Sequence, residues 1–350
     1  MTTRTISIPT LLDIRPGALD GLPEVLAGAF DTSLVVVAGG LAASLPSAEK
    51  VARDLRETGS QVTAHDGLGG TLEASSELER RLRGADPTLV VAVGGGRTID
   101  AAKLAAHRVG VPFVAVPTML SHDGMASPVA SLVGDDGIRR SLASGMPAGV
   151  VIDLEVVGDA PVEFVRAGIG DLVSNITAVA DWRLAAAEGH ERFDEFAASI
   201  ALQSALPVLN LRWPLDDDDL QLVARGLVMS GLAMEVAGSS RPCSGAEHLI
   251  SHALDQILGS GARAHGDQVA LGTLLVAAPS GVAVERVRAL YERVGLPTSF
   301  DGWCVDRDTL VAAIRLAPST RPGRITVLDQ IDLSDDGVDR LIADAFGVRP

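Results

Sequence analysis

A parallel, doubly wound α/β sheet followed by an all-helical region is the architecture this 350-residue sequence predicts. Three observations carry it. Short β-branched runs alternate with amphipathic stretches as far as residue 153. Beyond about residue 160, helical periodicity continues with hardly any strand signal. Two of the apolar runs end in glycines, which is how a buried strand turns tightly into a helix. The expected domains are 1–160 and 161–350, and the length is large for one compact core.

Taken in order, residues 33–38 (Ser-Leu-Val-Val-Val-Ala) read as a strand ending at Gly39-Gly40, with a helix from near Ser47. A second strand is expected at 61–64, a helix at 73–83 and a buried strand at 88–93. Gly94-Gly95-Gly96-Arg97-Thr98-Ile99-Asp100 then opens a helix through Lys103 and His107, followed by a strand at 112–116. Residues 117–128 are small, polar and bounded by prolines, which is loop chemistry at the carboxyl end of a strand. A last strand is expected at 149–153. Helices are expected at about 171–188, 193–206, 218–237, 244–259, 266–280 and 281–293, with Asp216 to Asp219 suiting the positive end of the third.

Composition narrows the function classes. A net charge of −16 argues against nucleic acid or an anionic membrane as partner, since the overall field repels both. No apolar run reaches the roughly 18 residues that a membrane helix needs, and two cysteines make no disulfide framework. No charged, apolar leader is read at the start, so the expectation is a cytoplasmic chain, and enzymes of this size are commonly symmetric homo-oligomers. Lysine occurs only at Lys50 and Lys103.

The glycine triplet lets backbone amides approach a diphosphate at a helix start, with Asp100 and Lys103 one turn in and the 118–127 loop on the next strand. This points to a nucleotide cofactor in a Rossmann-like domain, although the triplet is not the GxGxxG fingerprint; a tight turn with no ligand is the plain alternative. Asp66 is placed to hold a ribose hydroxyl, which favours NAD over NADP, or is a solvated turn residue.

His248 and His252, four residues apart on a predicted helix, share one face, and His265 follows beyond a turn. With Asp171 at the expected start of the helical domain, one carboxylate and two imidazoles from separate elements suit a catalytic divalent cation such as zinc. Spacing alone leaves structural roles open, Asp171 as a helix cap among them. Arg241, Arg324 and Lys103 are the cations available to a substrate phosphate, and Cys243 reads as a small buried thiol.

In Gly94–Asp100, Ser121-His122-Asp123-Gly124, Gly170-Asp171-Leu172-Val173-Ser174-Asn175, Asp181-Trp182, Ser240-Arg241-Pro242 and His265-Gly266, the chain resembles the sn-glycerol-1-phosphate dehydrogenases. These belong to the iron-dependent alcohol dehydrogenase and dehydroquinate synthase superfamily. The resemblance implies a dehydroquinate synthase-like fold and zinc, with Fe2+ or Ni2+ as alternatives, on Asp171, His248 and His265. It places NAD or NADP on Gly94, Gly95, Gly96, Arg97, Thr98, Thr118, Ser121 and Ser127, and the substrate against Asp123, Asp171 and His252. Asp123 or His252 is then the proton relay, and Arg241 a contact for a polyol or ketone phosphate. The implied reaction is reduction of dihydroxyacetone phosphate to sn-glycerol 1-phosphate, with a place in phospholipid synthesis. A sugar-phosphate cyclase, an unphosphorylated polyol dehydrogenase and a catalytically silent nucleotide-binding regulator are the alternatives.

Overall fold

The computed structural model describes residues 5–347, and the chain divides into two compact units between Pro161 and Val162. In the first unit the elements run β1 (Leu11–Arg15), α1 (Leu22–Ala29), β2 (Leu34–Gly39), α2 (Leu45–Glu57), β3 (Gln61–His65), α3 (Leu72–Ala85) and β4 (Leu89–Gly94). Then come α4 (Gly96–Val109), β5 (Phe113–Pro117), β6 (Val129–Val133), β7 (Arg139–Ala143), β8 (Gly149–Asp153) and α5 (Leu154–Gly158). Six strands form one sheet in the order β1-β8-β5-β4-β2-β3, each neighbouring pair parallel.

Every residue of β4, β5 and β8 is buried, as strands covered on both faces require. On one face Val35, Val37, Val91, Val93, Val114 and Val116 alternate inward beneath Leu22 and Leu26 of α1 and Val51 and Leu55 of α2. The connection leaving β2 leads to the outer strand β3, whereas that leaving β4 leads the other way to β5. The carboxyl ends of β2 and β4 therefore flank a crevice at the switch point, where open α/β sheets bind ligands.

The sequence reading missed β1 and the antiparallel β6–β7 hairpin. β1 buries only Ile14 and lies at the sheet edge, so its alternation is weak. The hairpin turns through Gly134-Asp135-Asp136-Gly137, with the Gly134 N–H donating to the Ile138 carbonyl. That turn chemistry was legible; the outward arginines of β7 hid the strand.

The second unit is helical: α6 (Val162–Ala187), α7 (Glu195–Ala205), α8 (Asp217–Ala237), α9 (Ala246–Leu258), α10 (His265–Ala277), α11 (Val284–Val294), α12 (Arg307–Thr320) and α13 (Asp335–Phe346). α10 packs along α6 and α9, and α12 along α9. Asp216 and Asp219 form a reciprocal capping box at the start of α8. α8 is long and apolar enough to cross a membrane by those two measures, yet 56% of that stretch is buried inside the protein, as in a core helix.

One expectation is corrected. α6 begins at Val162 rather than near 171, so Asp171 lies inside a 26-residue helix and is not its cap. Glycine inside this helix permits close packing. A Cβ on Gly170 would fall 2.6 Å from the Ala270 Cβ and 2.9 Å from the Gly266 carbonyl oxygen. α12 and α13 were not foreseen.

Candidate metal centre and dinucleotide cradle

In the first unit, Gly94 ends β4 and α4 starts at Gly96, leaving the Gly96 and Arg97 amides ahead of the first helical acceptor, the Gly95 carbonyl that takes the Thr98 and Ile99 N–H groups. Gly40 closes the opposite wall: its N–H donates to the Val93 carbonyl at 3.1 Å, and a Cβ there would fall 2.7 Å from Thr98 Oγ1. Thr98 is buried and its hydroxyl donates to the Leu68 carbonyl at 3.1 Å. Arg97 is exposed, with its stem against Gly70. Thr118 is tied to the triplet by its N–H, which donates to the Gly94 carbonyl at 3.0 Å.

The loop after β5 is held from below. Lys103 Nζ, 1% exposed, donates to the carbonyls of Gly124 at 2.6 Å, Ser127 at 3.1 Å and Val129 at 2.6 Å, and lies 3.2 Å from Asp100 Oδ1. Asp100 Oδ2 accepts from the Ser131 N–H, and Ser127 Oγ donates to the Val129 carbonyl. Burial pushes the Lys103 ammonium below the usual lysine range while Asp100 pulls it back up. Asp100, expected at the cofactor, thus anchors the loop, and Lys103 has no donor geometry left for a substrate phosphate. Ser121 and Asp123 lie half-buried in this loop.

His122 escaped the sequence reading as a site residue. Its Nδ1 accepts from the Gly124 N–H at 3.0 Å, which leaves the proton on Nε2. That Nε2 lies against the start of α4, 2.1 Å from where a Gly96 Cβ would be. Burial lowers its pKa, opposed by Asp100 and Asp123, so the ring is neutral near pH 7.

In the second unit, Asp171 of α6, His248 of α9 and His265 at the first turn of α10 converge. Their ligand atoms all lie within 4.8 Å of one another. Asp171 Oδ1 is 3.8 Å from His248 Nε2 and 3.9 Å from His265 Nε2. Donors around a tetrahedral zinc stand about 3.4 Å apart, close to the two distances from Asp171, and two imidazoles with one carboxylate suit zinc, iron or nickel. Both rings are already turned: His248 Nδ1 pairs with Glu247 Oε1 at 3.0 Å, and His265 Nδ1 with Ser251 Oγ at 3.3 Å. Asp171 is 3% exposed, whereas the His265 side chain is 31% exposed and leaves that flank open.

His252 is not part of this cluster of ligand atoms; its ring centroid is 6.5 Å from that of His248, one turn along α9. Arg241 departs from the expected substrate contact. It is 2% exposed, its Nε donates to Glu191 at 2.7 and 2.8 Å, its Nη2 pairs with the same carboxylate, and Nη1 donates to the Ile325 carbonyl at 2.8 Å. A buried guanidinium needs a counter-charge, and Glu191 supplies it. Arg324 is also buried; it bonds the Ser244 carbonyl and Ser240 Oγ, and burial together with Arg321 and Arg241 pushes its pKa down to about 9. Cys243 is a buried thiol, its Sγ 3.3 Å from the Ser230 carbonyl.

Comparison with known proteins identifies relatives of the whole chain. A model of the iron-containing alcohol dehydrogenases matches residues 13–161. The chain is 36% identical over 345 residues to the glycerol-1-phosphate dehydrogenase (NAD(P)+) of Hyperthermus butylicus, covering 96% of this chain and 97% of that one. It is 35% identical to the enzyme of the same name from Cenarchaeum symbiosum, over 95% and 94% of the two chains. Among solved structures, a probable glycerol dehydrogenase from Sinorhizobium meliloti superposes with a TM-score of 0.79 at 22% identity, over 99% of each chain. Maleylacetate reductase from Agrobacterium tumefaciens gives 0.72 at 19%, over the full length of both. These two likenesses concern the fold.

Proposed function

The chain belongs to the glycerol-1-phosphate dehydrogenase family, and on that footing we propose that it interconverts dihydroxyacetone phosphate and sn-glycerol 1-phosphate, or a close polyol or ketone phosphate, with NAD or NADP. The observation that carries the reading is the convergence of Asp171, His248 and His265, with both Nδ1 atoms already engaged. A divalent cation on these three residues, zinc or else Fe2+ or Ni2+, supplies Lewis acidity that polarises a carbonyl and lowers the pKa of an alcohol. The glycine cradle would hold a nicotinamide cofactor, and the chemistry supplied there would be hydride exchange.

The chain's own groups do the rest. The Gly94–Gly96 amides and the start of α4 receive the diphosphate, with neutral His122 offering Nε2–H beside them. Thr118, Ser121 and Ser127 are proposed to face the cofactor; Lys103 and Asp100 hold the loop around Ser127, and the Gly94 carbonyl holds Thr118. Reduction adds a proton to the substrate oxygen, and Asp123 and His252 are the groups proposed to deliver it. Asp171 is proposed to face the substrate as well as the cation. An anionic chain in the cytoplasm, forming a symmetric homo-oligomer, completes the proposal; a monomer by sedimentation would remove that last part.

A second reading has one observation in its favour: Lys103 and Arg241, two of the three cations named for a phosphate, are closed off by protein groups. That favours an unphosphorylated polyol or ketone. A panel of small ketones and their phosphates, with NADH and NADPH after zinc loading, decides it. Net cofactor oxidation with dihydroxyacetone phosphate far above that with dihydroxyacetone is expected. The reverse preference would establish the second reading, and cofactor binding without turnover would leave a silent nucleotide-binding protein.

A further inference from the structure

Glu247 is adjacent to a proposed cation ligand, yet its carboxylate is fully buried, 0% exposed, among groups that orient rather than solvate it. Oε1 accepts from the Gly245 N–H at 2.6 Å and pairs with His248 Nδ1 at 3.0 Å, and Oε2 accepts from Thr177 Oγ1 at 2.9 Å. Its surroundings are shaped to admit it. A Cβ on Gly245 would fall 3.1 Å from Oε2, and one on Gly272 of α10 would fall 2.6 Å from the Glu247 carbonyl oxygen. The carboxylate thus spans α6, the start of α9 and one edge of the His248 ring. Burying a carboxylate costs several kcal/mol unless its hydrogen bonds are made, so a side chain so enclosed is fixed in one rotamer.

We infer that Glu247 is the positioning residue of the cation centre: its carboxylate holds His248 with the proton on Nδ1 and Nε2 facing Asp171 and His265. This rests on the reading of those three residues as a cation site. Groups that hold the far nitrogen of a ligating imidazole fix its tautomer and raise its basicity, and losing one weakens cation affinity about 10- to 100-fold. Glu247 touches neither substrate nor cofactor and acts through the ring.

The test is a cobalt(II) titration of the full chain after chelator treatment, in wild type, Glu247→Gln and Glu247→Ala. Visible absorption and chelator competition report the cation, and far-UV dichroism and thermal midpoint report the cation-free fold. Glutamine retains an acceptor oxygen without the charge. The inference expects Glu247→Gln to stay folded, bind about tenfold more weakly and show shifted d–d bands, with alanine, where it folds, weaker by about 100-fold. Wild-type affinity and spectrum in folded Glu247→Gln would overturn it, as would a fall in cation-free stability with affinity unchanged. A wild type that takes up no cobalt overturns the underlying site as well, which separates the two failures.

Discussion

Asp171, His248 and His265 are 77 and 17 residues apart in succession, and no short spacing rule joins them. The conspicuous pair in sequence, His248 and His252, shares a helix face but not a ligand cluster, because His252 lies a turn farther along α9. Ligand types were legible from residue chemistry and family resemblance; the groups that aim them were not, since Glu247 and Ser251 look like ordinary helix residues until α9 meets α6 and α10. A neighbour of this cluster gives a pH prediction. The Asp181 carboxyl is pushed up to about 7, first by burial and then by the Glu247 charge, against the pull of the Ala246 and Val327 N–H groups. An unfolded aspartate titrates near 3.9, so between these values the fold binds the proton more tightly than the unfolded chain does. The stability this confers is complete below about 4 and is lost as pH rises through about 7, amounting to about 4 kcal/mol at most. Urea midpoints at pH 5 and 8 should fall more steeply in wild type than in Asp181→Asn; equal slopes would refute the assignment.

At the scale of elements, the cation centre depends on how closely α6 and α10 approach. Gly170 precedes Asp171, and the Gly266 carbonyl that it faces follows His265. Gly170→Ala drives a methyl into Ala270 and that carbonyl, so the helices must separate. The expected cost is about 1–3 kcal/mol of stability, with weaker cation uptake because Asp171 and His265 sit on the two displaced surfaces. Calorimetry with and without cation tests this, and a variant with wild-type midpoint and affinity would refute it. The same residue bears on the start of α6: expected near 171, the helix begins at Val162 and carries Gly170 within it. The buried strands β2, β4, β5 and β8 were legible because continuous Val/Ala runs have few other fates. The edge strand β1 and the β6–β7 hairpin were not, because one-sided burial leaves little apolar signal. Lys103 stands out in sequence for its rarity, but its three carbonyl partners lie more than twenty residues downstream, which local pattern cannot supply.

On the scale of the molecule, the two units divide the chemistry: one carries the glycine cradle at a sheet switch point, the other the Asp-His-His cluster. The change from strand–helix alternation to helical periodicity made that division legible, since the two periodicities differ over whole stretches. Charge balance alone says nothing about a phosphate-bearing substrate, because the guanidinium groups that would recognise a phosphate have first to be seen paired or unpaired. Arg241, read as a phosphate contact, turned out to be neutralised by Glu191. The reading proposed for the chain is a cation-dependent NAD(P)H oxidoreductase built on Asp171, His248 and His265. Its most direct test is divalent-cation content per chain, measured beside cofactor oxidation, for wild type, His248→Ala and His265→Ala. One cation per wild-type chain is expected, and in each variant loss of both cation and turnover with the far-UV spectrum retained; a folded variant that is cation-free and still active would refute the assignment.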